Sequence, residues 1–302
     1  MLRPMEIQQL RHLIAAIQYG NLVKAAEECN ISQSGLSRSV RSLEERLGVP
    51  LLVRNSKGVE PTVYGRSMAK RAHLILNEVK RSIDEIRAIQ ASEVGDVSFG
   101  VTQNYGYYLI PEILAEMNLA YPGVRISVVT GGFLDLVDQL QSGSIEFAFG
   151  LIGPIDEDSE ISVQPLRDHH SRVVARRNHP LATRSTEVTP EELGGARWAT
   201  LRGDGFQKIF SAYFAIHGLK PPTQAIQTDS IALIRQLVAT SDLLAVLPPD
   251  IIQDGATEEL FTIINCHPPA EQTQVGLLFR RDSWVSPQCQ QVIDRIRSRL
   301  GN

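Results

Sequence analysis

The stretch from Ser32 to Arg41 places Gln33, Ser34, Ser37, Arg38 and Arg41 on the outer side of a helical period whose inner side is Leu36, Val40, Leu43 and Leu47. Glutamine and arginine pair with base edges through two hydrogen bonds, and serine serves a base or a phosphate. A helix that enters the major groove offers the bases its N-terminal residues, which is where these side chains lie. An ordinary amphipathic surface helix has the same appearance, so the neighbouring elements must decide. A second group has a different chemistry. Thr102, Gln103 and Asn104, then Thr130-Gly131-Gly132, and then Thr200, Leu201 and Arg202 each follow an apolar alternating run. In an open parallel sheet, ligands sit beyond the carboxyl ends of strands. Hydroxyls, amides and helix N-termini suit a small anion, and Arg202 suits a carboxylate in particular. The alternative is that these hydroxyls cap their own helices and that Arg202 lies on a surface loop.

Other chemistries find little support. The patterns GxSxG, HExxH, GxxxxGK[ST] and GxGxxG are absent. His169 and His170 are adjacent, and on a strand they point to opposite faces, so no metal site is expected. The acidic run Asp156–Glu160 reads as a solvated loop. Cys29, Cys266 and Cys289 are far apart and form no CxxC pair, which fits reduced structural thiols. No catalytic residue and no enzyme activity are expected. The chain has 302 residues, 43% apolar and 21% charged, room for two to three domains. Its net charge of −4 divides into about +5 before residue 93 and about −9 after it. A basic front on an acidic body favours a polyanion at one end. No run is apolar enough to span a bilayer, and Met1–Leu10 lacks the features of an export signal, so a cytoplasmic location and no membrane partner are expected.

The elements that must position the first group are short helices. Ile7, Leu10, Ile14 and Ile17 recur at helical spacing up to Gly20, and Asn21 caps a second helix from Leu22 to about Cys29. Ala25 and Ala26 permit a close crossing. Asn30 tolerates the left-handed turn that follows, and Ser32 caps the third helix, which stops at Gly48. Leu51 to Val59 fits a two-stranded wing with its tip at residues 55–58. From about Thr62 to Ala91 a long helix carries Met68, Ala72, Ile75, Val79, Ile83, Ile86 and Ile89 on a seam that seeks a partner helix. Packing on the same chain's C-terminal part is the alternative.

Beyond Gly95, strands and helices alternate: strands around Val97–Val101, Arg125–Val129 and Phe147–Leu151, with helices at Leu109–Ala120 and Leu134–Gln141 between them. A second alternating run starts near Ser171. It includes a capping box at Thr189–Glu192, a helix from Phe206 to His217, and strands at 225–228, 243–247 and 260–264. Strand Val275–Arg280 and a helix from Pro287 close the chain.

Ala25-Ala26, Ser32-Gln33, Leu36-Ser37-Arg38, Val40, Leu43-Glu44, Leu47-Gly48, Leu51-Leu52-Val53-Arg54, Pro61-Thr62 and Gly65 together resemble the LysR-type transcriptional regulators. Ser34-Gly35 stands where that family usually has Pro-Ala, and Leu52 where it usually has Phe. Gly95, Leu109-Ile110-Pro111, Tyr121-Pro122, Leu140 with Gly143, His179-Pro180-Leu181-Ala182 and Leu247-Pro248 follow in the family's order. The resemblance implies a helix-rich N-terminal winged helix-turn-helix and an α/β C-terminal part with the two-lobed periplasmic-binding-protein type II fold. It implies a DNA-binding head over 1–61, a dimerising linker helix over 62–92 and an effector-binding domain over 93–302. Within that domain the first lobe is expected at about 93–163 with 268–302, and the second at about 164–267. Ser32, Gln33, Ser34, Ser37, Arg38 and Arg41 are the implied DNA-facing residues, with Arg54 at the minor groove or backbone and Lys57 near phosphate. Thr102 and Thr130 match positions that hold effector in the family. Gln103, Asn104, Thr200 and Arg202 complete the expected effector site, with a carboxylate among the candidate groups. No cofactor is expected. The implied partners are a double-stranded interrupted palindrome at a promoter, further copies of the chain in a dimer or tetramer, a small organic effector and RNA polymerase. A solute-binding protein or an enzyme on the same two-lobed fold is the alternative, without an export signal or a catalytic motif to support it.

Overall fold

The computed structural model of the chain describes residues 5–55, 58–90, 95–156, 159–184, 186–202, 204–252, 258–267 and 273–301. The chain divides into two compact units, Met1–Ser92 with Gln139–Ile145, and Glu93–Asp138 with Glu146–Asn302.

The first unit opens with helices α1 (Ile7–Tyr19), α2 (Leu22–Glu28) and α3 (Gln33–Leu47). Their ends are set by the expected residues. Asn21 Oδ1 accepts from the Val23 and Lys24 N–H groups, Asn30 adopts φ 54°, and Ser32 Oγ accepts from the Gly35 N–H. Leu10, Leu13, Ala16, Ala25, Ala26, Leu36, Val40 and Leu43 form one buried cluster, in which the two alanines let α2 cross close to its neighbours. Strands β1 (Leu52–Asn55) and β2 (Gly58–Pro61) pair antiparallel as the wing. The carboxylate of Glu44 fixes its root, accepting from the Leu51 and Leu52 N–H groups at 2.7 and 3.0 Å. The Val59 N–H donates to the Gly20 carbonyl at 2.9 Å, and a Cβ at Gly58 would overlap that carbonyl.

Helix α4 (Val63–Gln90) follows. Its apolar side is divided. Met68, Ala72 and Leu76 pack into the cluster of α1–α3, whereas Ile75, Ile83 and Ile86 are 38%, 47% and 58% exposed. The single seam expected from the sequence thus serves two purposes: Met68, Ala72 and Leu76 belong to this unit's own core, and Ile75, Ile83 and Ile86 lie open. Residues 139–145 dock on the same helix, with Asn77 Nδ2 donating to the Ser142 carbonyl at 2.8 Å and Arg81 Nη2 to the Ile145 carbonyl at 2.6 Å.

The second unit contains two five-stranded mixed sheets. The first uses β3 (Gly95–Thr102), β4 (Val124–Gly131), β5 (Phe147–Leu151), β6 (Ile161–His169) and, from the end of the chain, β12 (Thr273–Arg280). Its order is β4-β3-β5-β12-β6, with β3 parallel to β4 and β5, and β12 antiparallel to β5 and β6. Helices α5 (Gln103–Tyr108), α6 (Ile110–Ala120), α7 (Phe133–Gln141) and α11 (Pro287–Leu300) accompany it. The second sheet has the order β11-β7-β10-β8-β9 and uses β7 (Arg172–Arg176), β8 (Arg197–Leu201), β9 (Gln224–Thr228), β10 (Leu243–Leu247) and β11 (Phe261–Ile263). Helices α8 (Pro190–Gly195), α9 (Asp204–Ile216) and α10 (Ile231–Thr240) belong to it. The returning strand β12 completes the first sheet. The chain leaves that sheet only after His169, later than the expected boundary near 163, because all of β6 pairs with β12.

Each sheet has its own interior. Phe99 and Phe147 stack at 4.9 Å among residues of α6 and α11. On the second sheet, Trp198 meets Phe210 at 5.1 Å on the α9 side, while Ala199, Leu243 and Leu247 pack with α10 on the other. Phe99, Phe147, Trp198 and Phe210 are fully buried, and each such aromatic stabilises its lobe by removing a large apolar surface from water.

Candidate nucleic-acid interface and effector cleft

Helix α3 presents Gln33, Ser34, Arg38 and Arg41 to solvent and keeps Leu36, Val40 and Leu43 inside. Ser32 has a prior task, since its hydroxyl caps the helix through the Gly35 N–H at 3.1 Å. Gly35 therefore serves the cap directly, and the hydroxyls of Ser32 and Ser34 lie 3.2 Å apart. Arg54 on the wing and Ser37 on α3, which the sequence offers separately, come together: Arg54 Nη2 donates to Ser37 Oγ at 2.6 Å. One cation is thereby held over the outer side of α3. Arg41 Nε donates to Glu45 Oε1 at 3.0 Å, one turn further along. Lys57 lies outside the described residues.

The second group sits at the carboxyl ends of the strands. Thr102 ends β3 and pairs across β4 with Gly131, so Thr130 is its diagonal neighbour. Thr102 has the extended backbone of an N-cap to α5, yet its hydroxyl caps nothing. It is 6% exposed, and among the described residues its Oγ1 has no hydrogen-bond partner. The Oδ1 of Asn104, a residue 7% exposed, is unsatisfied in the same way. Burying such groups unpaired costs about 1–3 kcal/mol each, which folding alone does not require. Gly150, absent from the sequence reading, makes the arrangement possible. It lies beside Thr102 at φ 154°, and a Cβ there would overlap the Thr102 side chain. A lone glycine in an apolar strand is a known mark of such an approach.

Other members of the group behave differently. Thr130 is exposed and Gln103 half-buried. The backbone N–H of Gly132, expected to greet an anion, is taken by the Asp135 carboxylate at 3.0 Å. Thr200 is 1% exposed, and its hydroxyl donates to Gln224 Oε1 at 3.1 Å and faces Gln207 Nε2 at 3.5 Å. That hydroxyl is committed to the interior of its lobe. Arg202 is exposed, and its loop is tied to the end of β9 by a 2.8 Å bond from its N–H to the Thr228 carbonyl. His169 points inward and His170 outward, and no group of three or more metal-ligating side chains occurs among the described residues.

Residues 7–66 match the profile of the bacterial regulatory helix-turn-helix protein, lysR family, and residues 90–301 match the LysR substrate binding domain. The chain belongs to the LysR family of transcriptional regulators. Among its relatives, the SDS degradation transcriptional activation protein of a Pseudomonas species is 28% identical over 93% of this chain and 92% of its own length. The DNA-binding transcriptional dual regulator OxyR of Escherichia coli is 25% identical over 98% of this chain and 96% of its own. Full-length CbnR, solved in complex with its target DNA, shares the fold with a TM-score of 0.66 and 21% identity, covering 97% of this chain and 99% of that one. This LysR-type chain is a DNA-binding transcriptional regulator with an effector-binding domain, from a family of regulators and not of enzymes. The effector-binding domain implies a small-molecule ligand. Among the described residues no helix is long and apolar enough to cross a membrane.

Proposed function

We propose that this regulator acts in the cytoplasm as a dimer or tetramer and reads an interrupted palindrome beside a promoter, where RNA polymerase is a further partner. In this reading residues 1–61 bind DNA, 62–92 join subunits and 93–302 sense. Gln33, Ser34, Arg38 and Arg41 meet the major groove, Ser37 holds Arg54 against the duplex, and Lys57 lies near phosphate. The open stripe of Ile75, Ile83 and Ile86 is what a second α4 would cover. The effector is a small organic molecule held by Thr102, Gln103, Asn104 and Thr130, with a carboxylate reached by Arg202. Its binding shifts the arrangement of the lobes and hence the spacing of the DNA heads, by no more than its differential affinity for the two states.

The observation that carries the sensing part is the buried, unsatisfied hydroxyl of Thr102 beside Gly150. A thiol trigger, suggested by relatives named as hydrogen peroxide-inducible genes activators, has less support. Burial raises the Cys29 thiol, pushes Cys266 up to about 11 and lifts Cys289 well above the usual range, the opposite of a reactive thiolate. The test is a thermal-shift screen of small carboxylates and hydroxy acids against the full chain and its Thr102→Val variant. A compound that raises the parent's melting temperature and leaves the variant unmoved supports the site. Equal shifts in both place the ligand elsewhere.

A further inference from the structure

Helix α5 belongs to the first lobe by connectivity, since it follows β3, yet its last residues bond to the second. Tyr107 accepts a hydrogen bond at its hydroxyl from Arg235 Nη1 of α10. The same guanidinium lies over two rings, 4.9 Å from the centroid of Tyr107 and 5.4 Å from that of Phe261 on β11. Arg235 is buried. One residue on, the Tyr108 hydroxyl donates to Asp250 Oδ2 at 3.2 Å, in the short turn Pro249–Ile251 after β10. Arg167 of β6, again in the first lobe, reaches the same carboxylate oxygen at 3.3 Å. Two neighbouring tyrosines thus grip two separate elements of the other lobe.

The chain crosses between the lobes close by. β6 ends at His169 and β7 begins at Arg172, leaving His170 and Ser171 as the link. His169 is anchored on both sides, with Nδ1 3.0 Å from the Tyr105 hydroxyl and Nε2 3.2 Å from Ser171 Oγ. Rotation of one lobe about this link must break the grip of Tyr107 and Tyr108, because these contacts join elements that move with different sheets.

We propose that α5 is a two-point latch between the lobes, closed by Tyr107 on Arg235 and by Tyr108 with Arg167 on Asp250. Its two halves differ in character. The Arg235 half is buried between aromatic faces, where a planar cation is favoured. The Asp250 half is partly exposed to solvent and is the weaker, more readily exchanged contact. The six residues of α5 are short enough to move as one piece, so a displacement at either end is felt at the other. Gln103 and Asn104 occupy its opposite end, so an effector there would act on the latch directly. That last step rests on the effector site proposed above; the latch itself rests on contacts that need no effector.

Hydrogen exchange of the full chain, with no small molecule added, tests the latch. In Tyr107→Phe with Asp250→Asn, the amides of residues 103–108 and of the 170–172 link are expected to exchange faster by about fivefold or more, the range of a typical conformational coupling. Amides of β8 and β10 in the second sheet keep the parent's rate. Tyr107→Phe alone, which removes one hydroxyl and retains the ring, gives a smaller change in the same segments. Reversing the ion pair, Arg167→Asp with Asp250→Arg, brings the link closer to the parent rate than Asp250→Asn does. Unchanged exchange in the double variant, or a uniform rise over the whole second unit, overturns the latch. If the latch holds and Thr102→Val leaves ligand binding intact, the effector site falls and the latch stands.

Discussion

The DNA-binding unit and the effector-binding unit place their proposed working groups in opposite settings. In the first, Gln33, Arg38 and Arg41 lie on the surface of a frame whose own hydrogen bonds are met by Asn21, Ser32 and Glu44. In the second, Thr102 and Asn104 are buried with polar atoms left unsatisfied. A surface that reads phosphate and base edges works by charge and shape and can be fully satisfied before its partner arrives. A site that encloses a small molecule instead keeps polar groups in reserve, at a cost to the unliganded fold. The frame of the head should therefore be sensitive to mutation and its reading face tolerant. In the sensor, removal of a working group should cost no stability.

The largest effect is expected where the head's frame is tightest. A Cβ on Gly65, in the first turn of α4, would overlap the Leu51 carbonyl oxygen, which already accepts from the Thr62 N–H at 2.9 Å. Alanine normally gains about 1 kcal/mol over glycine inside a helix. Here the overlap dominates, because both partners are backbone. Gly65→Ala is expected to destabilise the head by about 2–4 kcal/mol, seen as earlier thermal unfolding together with loss of DNA binding. A stabilised variant would show that β1 and α4 have room between them.

On the reading face the expectation reverses. Arg38→Ala should weaken binding to the preferred duplex by about tenfold to a hundredfold at fixed salt, with melting temperature unchanged. Equal loss on random duplexes would reduce Arg38 to a phosphate contact. Acid should separate the two units further. Burial and the nearby Arg167 hold His169 neutral down to about 4, against an ordinary value of 6.5. The unfolded chain binds this proton first, so the contribution of a neutral His169 is complete above pH 6.5 and is lost between 6.5 and about 4. Its size is on the order of 3 kcal/mol. His12, His73 and His179 are also lowered by burial and act in the same direction. His169→Gln should therefore flatten only part of the acid limb of the sensor's melting curve and leave that of the head unchanged.

The two units were also unequally legible in the sequence. The head follows from a regular period and from residues with a single local meaning, such as Asn21, Ser32 and Gly48. The lobes' main strands and helices follow from alternation and from caps such as Thr189. α5 did not, because six residues containing Gly106 and three tyrosines are too short to establish a period. β6 did not either, since it contains Pro165 and its partner β12 is contributed by the far end of the chain. Thr200 reads as the end of its strand, but its partners Gln207 and Gln224 come from α9 and β9, and no local rule connects them. The α4 seam was visible as apolar spacing; which of its residues the head itself would take was a question of tertiary packing.

Thr102→Val tests the sensor's side of the comparison. Valine retains the branched shape and removes the unsatisfied hydroxyl, so the unliganded chain should gain about 1 kcal/mol while losing its effector response. A loss of stability would mean that the hydroxyl has a structural partner after all and is not held in reserve.

The smallest effect probes the head's surface again. Arg41 and Glu45 are 78% and 67% exposed, and an exposed pair one turn apart contributes no more than about 0.5 kcal/mol to the fold. Glu45→Gln should leave stability unchanged. Its consequence lies with the DNA: one fewer negative charge beside the phosphates, and a guanidinium released from its neighbour. Affinity should rise about two- to fivefold at low salt, and the gain should shrink as salt screens it. If affinity is the same at low salt, Arg41 stands clear of the duplex, and Gln33, Arg38 and Arg54 must account for the contact made by this side of the helix.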